Sequence, residues 1–175
     1  MFWLKIFAKF VKVLREGGTP AQLAGGFSLG FFIGLTPGWP LHILLVTLLL
    51  LLLNLNLSMA AVGAAIAVAL SWLLDPVIES MGGWLLQDVA ALQSLWTTLY
   101  NNSLLMLTRF NNTVIMGSFA LGLLLLPVLF VLVRMLVKNY REVFLANLDK
   151  WRLTRLIKNS WIYRWYQRAS EAGLV

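Results

Sequence analysis

The chain contains no cysteine and only one histidine, His42. Without cysteine, neither a disulfide framework nor a thiolate metal site can form. A single histidine excludes the multi-histidine zinc and iron constellations. Charge is scarce as well. Asp, Glu, Lys and Arg make up 12% of the 175 residues, against 60% hydrophobic residues and a mean hydropathy of +0.81. That balance lies outside the composition of soluble domains, so an integral membrane protein is expected. Catalytic groupings are also missing. A nucleophile needs a base beside it, and Gly17-Gly18 and Gly82-Gly83 lack the Lys-Ser/Thr that completes a phosphate-cradling loop. The expectation is a non-enzyme with no cofactor and no bound metal.

The charge that is present sits at the two ends. Residues 1–19 carry Lys5, Lys9, Lys12 and Arg15 against Glu16, and residues 134–175 carry nine Lys/Arg against three acids. Between them, residues 20–133 hold only Arg109 against Asp75, Glu79 and Asp88. Positive charge at both ends places both termini in the cytoplasm. A basic chain can bind nucleic acid, but with so apolar a middle the cations read as a rim facing lipid head groups, and no nucleic-acid partner is expected.

Hydropathy and periodicity divide the chain into three parts. Residues 1–18 form an amphipathic helix, with its lysines opposite Phe2, Trp3, Phe7, Phe10 and Leu14. Lysine at every third or fourth position leaves no signal-peptide apolar region. Residues 19–137 form the membrane domain, with apolar segments at 20–36, 41–57, 59–75 and 113–137 and an amphipathic external stretch over 80–112. Residues 138–175 mix cations with Trp and Tyr, as interfacial helices on the cytoplasmic side do. The fold class is thus all-α, with about four short membrane helices, of which 20–36 and 59–75 either span or are re-entrant. At about 1.5 Å per residue the first three segments reach only about 26 Å, marginal for a hydrocarbon core of about 30 Å.

The first segment carries the most specific signal. Gly26, Gly30 and Gly34 recur every four residues on one helix face, where another helix can approach closely. The segment then runs into Thr36-Pro37-Gly38-Trp39-Pro40, a break whose freed backbone groups must lie at an interface or inside protein. Gly26, Gly30, Gly34, Pro37, Gly38 and Pro40 are therefore the expected packing residues. A second polar–proline step, Asp75-Pro76, hints at a repeated broken helix of the kind transporters use. His42, just past the break, either contacts a lipid phosphate or relays a proton, or it caps the broken backbone. Asp75 is either an intramembrane acid with a function or the N-cap of a helix begun by Pro76. With Thr36, Asn54 and Asn56 these two residues make up the expected polar niche. Leu85, Val89, Leu92, Trp96 and Leu99, spaced four and three apart, form a stripe that docks on a partner or on the chain itself.

The residues Gly30, Gly34, Pro37, Leu41-His42, Asn56, Gly63 and Pro76 resemble the pattern of a bacterial inner-membrane family, domain of unknown function 2062, over about Leu23 to Pro76. Pro40 replaces a glycine of that pattern and Asp75 an asparagine. The resemblance implies a bacterial inner-membrane protein of the cell envelope, tied to lipid handling. The leading expectation is a non-enzymatic subunit of a phospholipid-transport or envelope-maintenance assembly, working with a larger envelope protein or as a homo-oligomer. The alternatives are a purely structural anchor for a periplasmic partner and a small ion or solute transporter.

Overall fold

The structure, a computed structural model, describes Val13 and residues 18–145. The expected helix over 1–18 and most of the tail from 138 therefore lie outside the described residues. The chain forms two compact units, Met1–Val137 and Lys138–Val175. In the second, the described residues include an ion pair between Lys138 and Glu142 at 3.8 Å.

Helix α1, Pro20–Leu35, starts with a capping box. The Gln22 N–H donates to Thr19 Oγ1 at 3.2 Å, and the Thr19 N–H donates to Gln22 Oε1 at 2.8 Å. Pro20 occupies the first helical position, where its missing N–H costs nothing. α1 stops at Thr36, because the residue before a proline disfavours the helical conformation. α2, Leu41–Leu52, runs back to a turn in which Asn54 takes a φ of +54°, a left-handed conformation asparagine tolerates. α3, Leu57–Gly83, opens with the Asn56 side chain accepting from the Met59 N–H at 2.9 Å. A π-helical turn at Trp84–Asp88, then α4 (Ala90–Tyr100) and α5 (Ser103–Met106), lead to α6, Thr113–Asn139. Every regular element among the described residues is helical.

Glycine sets the register. A Cβ on Gly26 would meet the Asn56 backbone, one on Gly30 the Ala60 backbone and one on Gly34 the Ala64 backbone, while Gly63 faces the backbone of Phe27 and Phe31. The order rises along both helices, so α1 and α3 run parallel, and α2 carries the chain back from the end of one to the start of the other. Farther along α3 the same device recurs in antiparallel form, with Gly82 against the Thr113 backbone and Gly117 against the Ile78 backbone. α6 then descends along α1, its Gly122 making room for the Phe32 ring and its Val137 packing with Leu23 and Met59. Such contacts place Cα–H groups against carbonyls, a recurring stabilising geometry where helices touch backbone to backbone.

Two stretches, Leu57–Asp88 of 32 residues and Thr113–Glu142 of 30, are long and apolar enough to cross a membrane. Only 22% and 11% of their most apolar windows are buried, whereas a core helix of a soluble protein would be mostly covered. Leu48 on α2, Trp72 on α3 and Leu136 on α6 are among the large apolar side chains left outside.

The structure corrects several expected boundaries. α2 ends at Leu52, not 57, where the left-handed Asn54 turns the chain. The third apolar segment does not stop at 75. α3 continues through Asp75 and Pro76 to Gly83, so Asp75 is not an N-cap and Asp75-Pro76 is no counterpart of the Thr36–Pro40 break. Proline inside a helix removes one backbone hydrogen bond, but packing against α6 through Leu74 and Ile78 holds the helix on both sides of it. The stretch 80–112 is likewise not one amphipathic unit. Its first turn belongs to α3, and the rest divides into the π-helical turn, α4 and α5.

Candidate functional site at the tip of the first hairpin

The tip joining α1 to α2 is built on backbone that only some residues accept. Gly38 has a φ of +77°, in the left-handed region that favours glycine, and Pro37, Gly38 and Trp39 are exposed there. Pro40 by contrast is fully buried, and its carbonyl accepts from the Ile43 N–H at 2.9 Å. The first N–H of α2, on Leu41, donates to the Leu107 carbonyl at 3.0 Å. The segment after α5 is thereby fastened to the tip.

Two polar contacts lie inside this junction. Thr36 is buried, and its Oγ1 accepts from Ser118 Oγ at 3.2 Å, with Ser118 itself fully buried on α6. The Ser118 hydroxyl also lies 3.0 Å from the Ile115 carbonyl, the usual local resort of a helical serine. The half-buried His42 ring stands edge-on to Phe119 at 5.2 Å and to Phe32 at 6.5 Å, and those two rings meet each other edge-on at 5.8 Å. Three rings in mutual edge-to-face contact form a rigid cluster. The Thr108 backbone faces the imidazole as a hydrogen-bonding group, yet its Nε2 is buried without a partner. A buried ring nitrogen in that position can take one hydrogen bond from, or give one to, a group that reaches the tip.

The expected polar niche is divided by this geometry. Thr36 and His42 share the tip. Asn54 and Asn56 lie at the other end of α2, a helix of 12 residues or about 18 Å, where the Asn56 N–H donates to the Gln22 carbonyl at 3.3 Å. Asp75 projects from an exposed position of α3, and the rings around His42 are those of Phe32 and Phe119. Of the packing residues, Gly26, Gly30 and Gly34 line the α1–α3 contact, and Pro37, Gly38 and Pro40 shape the tip. Leu85, Val89, Leu92, Trp96 and Leu99 are all half-buried, with the Trp96 indole donating to the Leu85 carbonyl at 3.0 Å. Trp96 thus contacts its own chain, through Leu85 and through the Phe110 ring.

Sequence reasoning missed Ser118, Phe119 and the Gly82–Gly117 crossing. The signal available for them was the small-residue sequence Gly117-Ser118 with Gly122 in an otherwise bulky apolar segment.

A family model for an uncharacterized protein conserved in bacteria, DUF2062, matches residues 4–144. The chain belongs to this family. No curated protein and no solved structure matches it. In this DUF2062 member the match takes in both the hairpin tip and the α3–α6 crossing. Among the described residues, no three His, Cys, Asp or Glu side chains gather as a metal site.

Proposed function

We propose that this DUF2062 protein is a non-enzymatic subunit of the bacterial inner membrane that handles phospholipid together with a larger envelope protein or further copies of itself. In this reading α3 and α6 cross the bilayer, both termini are cytoplasmic and residues 80–112 are external. α1 and α2, about 24 and 18 Å long, form a hairpin that enters from the cytoplasmic side and carries its tip toward the external surface. The observation that carries the proposal is the polar hairpin tip beside an apolar helix. Ser118 lies five residues into α6, about 8 Å below its start, so Thr36, Ser118 and the unpartnered Nε2 of His42 would sit at head-group depth. At that depth the buried Thr36–Ser118 pair braces the tip, and the Nε2 of His42 is the atom left for a lipid phosphate once the tip opens, beside an exposed apolar surface that suits lipid chains. The transporter alternative rested on two broken helices, and α3 is continuous.

The test is purification of the full chain in mild detergent, followed by lipid mass spectrometry on the wild type and His42→Phe, which keeps the ring packing and removes both nitrogens. Phospholipid retained by the wild type and depleted in the variant is expected. Equal lipid content in the two, or none in either, would refute the head-group role. Cysteine labelling at Gln93 and at Ser170 should show opposite sidedness; labelling of both from one side would overturn the topology.

A further inference from the structure

An open depression of about 390 Å³ lies between the π-helical turn, α4 and the start of α6, away from the hairpin tip. Its size falls in the range of small-molecule sites. We propose that it binds a neutral sugar, presented either free or as the head group of a glycolipid.

The lining is aromatic, amide-rich and uncharged. Trp96, Tyr100 and Phe110 supply the rings. Trp96 is fixed at both ends, by its indole hydrogen bond to the Leu85 carbonyl and by stacking on Phe110 at 5.9 Å. Arg109, directly before Phe110, holds a φ of +54°, an uncommon conformation for a residue other than glycine, asparagine or aspartate. Such strain persists where the surrounding structure over-determines it, and ligand clamps are among the places it collects. The ring pair is therefore held as a platform.

The amides come from two Asn-Asn pairs that share a division of labour. Asn102 accepts from the Leu104 N–H at 3.0 Å to start α5, and Asn112 accepts from the Ile115 N–H at 3.0 Å to start α6. The first member of each pair, Asn101 and Asn111, instead lines the depression together with Gln87. The side-chain amides of these three residues make no hydrogen bond among the described residues. Each amide offers both donors and an acceptor, the combination that matches vicinal hydroxyls. An anion would want Lys or Arg, and an ammonium group a carboxylate. Neither charge lines the depression. Apolar sugar faces stack on aromatic rings while their hydroxyls meet amides, and the lining supplies both halves.

The full chain is placed in nanodiscs of phosphatidylethanolamine and phosphatidylglycerol, without maltoside detergents whose sugar heads would compete. Saturation-transfer NMR is recorded with maltose, and again with nanodiscs containing a monoglucosyl diacylglycerol. Saturable transfer to maltose, weakened about five- to tenfold by Tyr100→Ala, is expected from loss of one stacking ring. Asn111→Ala should weaken it too, and neither residue caps a helix, so the fold stays intact. Transfer to maltose that the glucolipid abolishes identifies a lipid-borne sugar as the tighter ligand; transfer it leaves unchanged identifies a free one. The proposal fails if no sugar binds in either form, if both variants bind as the wild type does, or if phosphocholine binds as well as maltose.

Discussion

α1 and α2 are neighbouring apolar helices of similar length, and they occupy opposite places. Nine of the 16 residues of α1 are buried, whereas α2 buries only Ile43 and Leu50 among its 12. Hydropathy would rank them the other way, since α2 is almost continuous leucine. The difference lies in size. α1 presents Gly26, Gly30 and Gly34 to the α3 backbone, while α2 holds Leu44, Leu45, Leu48 and Leu49 exposed. Where surrounding lipid is as apolar as leucine, burial gains little by hydrophobicity, and close backbone contact decides which helix goes inside. Small residues mark the faces where helix backbones meet, and bulky ones such as Phe31 and Leu35 fill the space beside those faces.

The sharpest way to break that contrast is Gly30→Leu. A Cβ at Gly30 already collides with the Ala60 backbone, which cannot move as a side-chain tip can. The expected cost is above about 3 kcal/mol, enough to separate α1 from α3. SDS titration of the purified protein, followed by circular dichroism and gel filtration, measures it. Near-wild-type unfolding would mean that α1 does not rest on α3.

The second test uses adjacent glycines on α3. Gly82 sits against the Thr113 backbone, while a Cβ on Gly83 meets nothing within 4 Å. Gly82→Ala should cost about 1–3 kcal/mol by forcing the α3–α6 crossing apart. Gly83→Ala should stabilise by up to about 1 kcal/mol, through helix propensity alone. The same titration reads both, and equal effects would put the crossing elsewhere.

These contacts explain which parts of the fold were legible in the sequence. The α1 face was readable because three glycines repeat at one helical spacing and end in a proline-rich break. The Thr19-Pro20 start was readable from local capping chemistry, which needs no distant partner. The α3–α6 crossing was not, because neither Gly82 nor Gly117 belongs to a glycine repeat at four-residue spacing, and they become a pair only when α6 turns back. Pro76 misled for a related reason. A polar residue before a proline resembles a boundary locally, yet Pro127 sits inside α6 just as Pro76 sits inside α3. Tertiary packing decides such cases. At the candidate site His42 and Thr36 were visible beside the break, but Ser118 and Phe119 come from 82 and 77 residues farther on, counted from Thr36 and His42. No local pattern links those positions.

A smaller effect is expected at the polar link between the inner helices. Ser118→Ala deletes the hydrogen bond to Thr36 and leaves the Thr36 hydroxyl buried among apolar groups. Interhelical hydrogen bonds inside membranes contribute about 0.6 kcal/mol on average and reach about 1.7. A loss in that range, seen as an earlier SDS midpoint with unchanged helicity, is the expected result. No loss at all would leave the tip held by its rings and by the Leu41–Leu107 bond alone.

The smallest effect belongs to α2, and it separates lipid from protein as the cover of its outer face. Leu45 and Leu48 are 54% and 51% exposed. If lipid covers them, Leu45→Ala and Leu48→Ala exchange one lipid contact for another. Alanine is at least as good a helix former as leucine, so each change should stay within about 0.5 kcal/mol in lipid nanodiscs. If a second protein or a second copy covers α2, each truncation opens a cavity and costs about 2–5 kcal/mol, the range for leucine in a packed core. The two outcomes differ several-fold. A large loss confined to the assembled complex, and absent from the isolated chain, would make α2 the surface on which a partner packs.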